Sequence, residues 1–157
     1  MTTIAYKGGM MAGDTCWTLN KTHITSLSKI TRLASGALLG QAGDNDGREM
    51  ETFLGKVKAP RGLPFRKELL ELRISFAGLL VLPTGHVYRV DCRENPTDYD
   101  DEVGFTPITK KFAACGSGSD IALGAMAAGK TAREAVLIAA EFDVNTRTPV
   151  NSLRLKP

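Results

Sequence analysis

Thr2-Thr3-Ile4-Ala5-Tyr6-Lys7-Gly8-Gly9-Met10-Met11-Ala12-Gly13-Asp14 reads as two short strands folded back on each other. Residues 2–6 carry β-branched and aromatic side chains, Lys7-Gly8-Gly9 supplies the turn, and 10–13 form the returning strand, with Asp14 at its end. The pattern recurs twice. Residues 28–33 and 37–42 flank Ala34-Ser35-Gly36, and residues 75–82 and 86–90 flank Pro83-Thr84-Gly85. Strands joined by tight turns pair antiparallel, so an α+β arrangement is predicted rather than a parallel βαβ sheet.

Helices are predicted in three places. Met50, Phe53, Leu54 and Val57 recur at helical spacing, which places a helix over 45–58, after a turn at 43–47 and before the breakers Pro60, Gly62 and Pro64. Residues 66–73 fit a short helix and the run-in to a strand equally well. Residues 93–107 read as an acidic surface loop, and 111–115 as a short buried strand leading into Gly116-Ser117-Gly118-Ser119. A helix over 120–128 stops at Gly129. Thr131-Ala132-Arg133-Glu134 is a capping box opening another helix to 142, and 144–153 reads as a last strand.

Composition narrows the function classes. The 157 residues suit a single domain, 1–157, and 43% hydrophobic with 24% charged residues is globular rather than disordered. A net charge of +3 and 6% aromatics argue against nucleic acid. No apolar run approaches the ~18 residues needed to span a bilayer. The N-terminus shows no secretory h-region, so a cytoplasmic protein is expected. Cys16, Cys92 and Cys115 are odd in number and widely spaced, forming neither a disulfide framework nor a zinc knuckle.

Two threonines follow Met1. Removal of Met1 would leave Thr2 with a hydroxyl nucleophile and an α-amine base in one residue, the amine having a reference pKa of about 7.7–8.0. A nearby lysine would lower that pKa further. If Met1 is retained, Thr2 has no free amine and this chemistry is closed to it.

Thr2-Thr3-Ile4, Ala12-Gly13-Asp14, Ser28-Lys29-Ile30, Gln41-Ala42-Gly43, Gly116-Ser117-Gly118 and the final Asp143-Val144-Asn145-Thr146 occur in this order. Together they resemble the motifs of proteasome β-type and bacterial HslV-like peptidases, over nearly the whole chain. The resemblance implies a four-layer α/β/β/α sandwich of two antiparallel sheets, the N-terminal nucleophile hydrolase fold. It implies a threonine peptidase acting on polypeptides without metal or other cofactor. Thr2 would be the nucleophile. Asp14 and Lys29 would be its acidic and basic partners, Gly43 the donor to the oxyanion, and Ser117, Asp143 and Thr146 the network around the amine. Thr18 would pair with an extended substrate, and Trp17, Leu27, Gln41 and Asn45 would line the first specificity pocket.

The family's paired long helices are shortened here, with Ala59-Pro60-Arg61-Gly62-Leu63-Pro64 leaving little room for a full second helix. A homo-oligomeric ring and an ATPase unfoldase partner are implied, although the docking surface for either is altered. Trp17 stands where the family has a small residue. Two other readings share the fold: an inactive structural or assembly protein of a bacteriophage, found in host cytoplasm or virion, and a hydrolase of small amides.

Overall fold

The computed structural model describes residues 2–19, 22–24, 27–43, 47–93 and 103–156, with backbone alone at 18, 19 and 22–24. Among the described residues, eleven strands form three antiparallel sheets. The first has four strands: β1 (Thr3–Lys7), β2 (Met10–Asp14), β10 (Phe112–Gly116) and β11 (Val150–Arg154), in the order β10-β1-β2-β11. The second has five in chain sequence: β5 (Ile30–Arg32), β6 (Leu38–Gln41), β7 (Phe76–Val81), β8 (Val87–Cys92) and β9 (Gly104–Ile108). A separate hairpin pairs β3 (Trp17–Leu19) with β4 (Thr22–Ile24).

Strand alternation builds the layers. Side chains of period two point to opposite faces, and neighbours along each strand fall into different apolar clusters. Ile4, Met11, Leu38, Leu79 and Val81 meet between the two large sheets. Ala5 and Ala12 face outward from the first sheet onto Ala122, Met126, Ala132, Ala135 and Val136 of helices α3 (Ser119–Ala127) and α4 (Ala132–Phe142). Leu39, Leu80 and Val90 face outward from the second sheet onto Met50, Leu54 and Leu69 of α1 (Arg48–Leu54) and α2 (Arg66–Leu72). Helices therefore cover the outer face of each sheet. Glycine lets the sheets close: a Cβ on Gly40 would lie 2.6 Å from Ile4 Cγ2, and one on Gly13 2.7 Å from Ile4 Cδ1. Cys16, Cys92 and Cys115 are all free and buried.

Three expectations change, and one open alternative is decided. The first helix ends at Leu54 rather than 58, because the Gly55 carbonyl accepts from Ser35 N–H at 2.8 Å in the β5–β6 turn. Residues 66–73 resolve as the short helix α2, opened by the Glu68 carboxylate accepting from Phe65 N–H at 2.6 Å. The acidic loop gives way to β9 from Gly104. Pro107 fits there because β9 is an edge strand needing a ladder on one side alone. The last strand starts at Val150, not 144, since Asp143 turns the chain by accepting from Asn145 N–H at 3.3 Å and Thr146 N–H at 3.0 Å. The β3–β4 hairpin was not expected. Asn45, with part of the predicted turn and loop, lies outside the described residues.

Candidate active site

Thr2 immediately precedes β1, beside the end of β2, because Ile4 pairs with Gly13 and so brings Asp14 level with Thr3. Asp14 is fixed by the backbone: Oδ1 accepts from Thr3 N–H at 2.9 Å and Oδ2 from Cys16 N–H at 3.0 Å. Lys29, just ahead of β5, is held in register by its carbonyl, which accepts from Gln41 N–H at 2.8 Å. Its Nζ lies 3.4 and 3.3 Å from the two Asp14 oxygens and donates to Thr2 Oγ1 in a close contact. The group is enclosed: Thr2 is 1% exposed, Asp14 0% and Lys29 5%. Burial pushes the Lys29 ammonium below its ordinary pKa, and the Asp14 charge and hydrogen bonds oppose that shift. A hydroxyl thus meets an amine whose charged form is disfavoured by its surroundings.

A second network lies on the helical side of the sheet. Ser117 Oγ donates to Asp143 Oδ2 at 2.6 Å, Thr146 Oγ1 does so at 2.5 Å, and Thr146 Oγ1 lies 2.6 Å from Thr3 Oγ1. Burial raises the Asp143 carboxyl, but the bonds from Ser117, Thr146 and the Asn145 amide outweigh it and leave its pKa lowered. Glycine is required where this network meets β1. Gly116 has φ +99, and a Cβ there would overlap the Thr2 carbonyl oxygen, as one on Gly118 would overlap Thr3 Oγ1.

Trp17 also joins the site: Lys29 Nζ lies 5.5 Å from its ring centroid. Gln41 is buried beside Lys29 through the backbone bond, and its Nε2 has no hydrogen-bond partner among the described residues. Gly43 follows β6 along the β7 backbone, where a Cβ would lie 3.6 Å from Ala77 N. Among the described residues no hydrogen bond joins Gly43 to Thr2 or Lys29. Leu27 is 57% exposed and packs in none of the three apolar clusters. Thr18 lies in β3, opposite His23.

Sequence reasoning overlooked Thr3 and the Cys16 amide. Thr3 gives its N–H to Asp14 and its hydroxyl to Thr146, so it links the two networks through one residue. The signal was the Thr2-Thr3 doublet itself: adjacent strand positions face opposite sides, so each hydroxyl serves a different network.

Within the described residues there is no cluster of His, Cys, Asp and Glu able to hold a metal ion, and no helix long and apolar enough to cross a membrane. No protein-family model and no curated protein matches the chain. Solved structures do. The chain is similar to Thiobacillus denitrificans BPH, at 21% identity and a TM-score of 0.65 over 99% of this chain and 98% of that one. It is similar also to Thiobacillus denitrificans BPH in complex with epoxomicin, at 22% identity and a TM-score of 0.66 over 99% of both chains. The fold is therefore α+β with two stacked antiparallel sheets, and it is shared end to end with that protein.

Proposed function

We propose that this chain is an N-terminal nucleophile hydrolase, a threonine peptidase of the proteasome type acting on polypeptides. The observation that carries the reading is the hydrogen bond from Lys29 Nζ to Thr2 Oγ1, with the same ammonium against Asp14. Once Met1 is removed, Thr2 Oγ attacks the peptide carbonyl carbon and its proton passes to the neutral Thr2 amine. The new C–O bond gives a tetrahedral oxyanion, which accepts from the Gly43 N–H. The C–N bond then breaks, and the leaving amine takes the proton from the Thr2 ammonium. Water, deprotonated by the same amine, hydrolyses the ester and frees Thr2. Lys29⁺ stabilises negative charge on Oγ, and Ser117, Asp143 and Thr146 hold the water and the amine.

The complex of Thiobacillus denitrificans BPH with epoxomicin, a proteasome inhibitor, supports this reading. The test is intact-mass spectrometry of the purified protein before and after epoxomicin. The expected result is loss of Met1 and a mass increase of one inhibitor, absent in Thr2→Ala. A processed protein with no adduct and no hydrolysis of peptide amides would remove the peptidase reading. A second reading, an inactive structural relative, is favoured by the short helices α1 and α2, of seven residues each. Retained Met1 in a fully assembled protein would select it.

A further inference from the structure

We propose that Trp17 is a positioning residue for Lys29, its indole face holding the lysine side chain in its charged form against Thr2. The inference rests on the peptidase reading for its consequence in catalysis, but not for its physical content.

Three observations carry it. Trp17 is the chain's single tryptophan, and its ring centroid lies 5.5 Å from Lys29 Nζ, within the range where an ammonium is drawn to an aromatic face. The ring is not placed by its own polar atom: Nε1 is buried and has no hydrogen-bond partner among the described residues. Trp17 sits at the start of β3, in a hairpin separate from both large sheets, so the ring reaches the site from an independent element.

The electrostatics give the ring a purpose. Among the described residues, the groups facing Lys29 include the Asp14 carboxylate at the end of β2, the Thr2 hydroxyl ahead of β1, joined in the processed chain by the Thr2 α-amine, the Cys16 thiol and the Trp17 face. Burial works against the ammonium, and Asp14 works for it. An aromatic face adds to the Asp14 side. A second carboxylate would supply charge as well, but it would compete with Thr2 for the Lys29 protons; an indole face has no lone pair to do so. Lys29 therefore keeps a donor for Thr2 Oγ1.

The experiment is an NMR pH titration of the Lys29 ε-carbon in lysine-labelled parent, Trp17→Leu and Trp17→Phe, all in the processed form, beside pH–rate profiles on one peptide substrate. Leucine keeps an apolar side chain and removes the π face, so the Lys29 pKa is expected to fall by about half a unit to one unit. Phenylalanine keeps a face and should restore most of the parent value. A Lys29 pKa unchanged or raised in Trp17→Leu overturns the proposal, because burial or packing would then be the ring's whole contribution. Should Trp17→Leu fail to fold, the parent's tryptophan fluorescence is the second measurement. Its emission should titrate with Lys29 and lose that step in Lys29→Met; a step that persists there overturns the proposal. An inactive parent with the expected titration would remove the peptidase reading and leave the Trp17–Lys29 coupling standing.

Discussion

Lys29 and Asp14 are both buried, yet they are held in different ways. Asp14 is anchored by two backbone amides, Lys29 by its position beside β5 and by what its ammonium meets. Thr2→Ala removes the acyl acceptor, so peptide hydrolysis should fall by at least about a thousandfold, measured as kcat/KM on a fluorogenic peptide. Asp14→Asn should be worse for the fold than for the chemistry. An amide can accept through one atom only, which leaves its NH₂ against a backbone N–H and a lysine, at a cost of about 3 kcal/mol; urea denaturation at neutral pH measures this. The same substitution leaves burial unopposed at Lys29, so its pKa should fall further; the acid limb, set by the Thr2 amine, moves to lower pH where Lys29 keeps its charge and to higher pH where it loses it. A profile superimposable on the parent would show that Asp14 is not coupled to the site. Stability has its own pH signature. The folded Lys29 pKa is lowered from 10.5, so between that lowered value and 10.5 the unfolded chain binds the extra proton. The contribution of Lys29 to stability should therefore rise with pH across that window. Denaturation curves at a series of pH values should show the rise in the parent and lose it in Lys29→Met.

At the scale of elements, the hairpins were legible because glycine and proline punctuate them: Gly8-Gly9, Gly36 and Pro83-Thr84-Gly85 stand between runs that alternate between two cores. The β3–β4 hairpin was not, since residues 17–24 hold neither glycine nor proline. Pro107 concealed β9, because a proline excludes a central strand but not an edge. The capping box was read correctly: Thr131 Oγ1 accepts from Glu134 N–H at 3.2 Å, and the Glu134 carboxylate accepts from Thr131 N–H at 2.8 Å. Thr131→Ala should cost about 1 kcal/mol, seen as a lower urea midpoint with unchanged slope. In the candidate site, motif order pointed to Thr2, Asp14, Lys29, Ser117, Asp143 and Thr146, which the fold gathers into two hydrogen-bonded groups. The Trp17 approach to Lys29 depends on β3, which the sequence pattern did not disclose. The turn before α3 has a sharper requirement. Gly116→Ala would press a Cβ on the Thr2 carbonyl at a left-handed φ, so activity should be lost together with about 3 kcal/mol or more of stability.

The whole molecule is a stack: α3 and α4, a four-stranded sheet, a five-stranded sheet, then α1 and α2. Each helical layer leaves large apolar side chains in solvent, Phe142 at the end of α4 and Phe65 ahead of α2. Contact between opposite layers of two copies is head-to-tail, which closes into rings when the rotation allows. A homo-oligomer with its Thr2 faces turned inward is therefore expected on the peptidase reading. Sedimentation velocity over a range of concentrations checks it, and a monomer throughout would favour action on small amides instead.

The enclosure of the three thiols gives the protein a clock for its own opening. Cys16, Cys92 and Cys115 are all buried, and burial pushes the Cys92 and Cys115 thiols up to about 11 and about 12. Cys92 and Cys115 are therefore held as thiols in the folded chain, and all three side chains are buried. Alkylation by a maleimide must wait for a fluctuation that exposes them. Cys92 lies in the five-stranded sheet and Cys115 in the four-stranded one. Peptide mapping of the alkylated positions over time would therefore time the opening of each sheet separately. The same inertness means that an electrophile captured by the native protein does not report on Cys92 or Cys115.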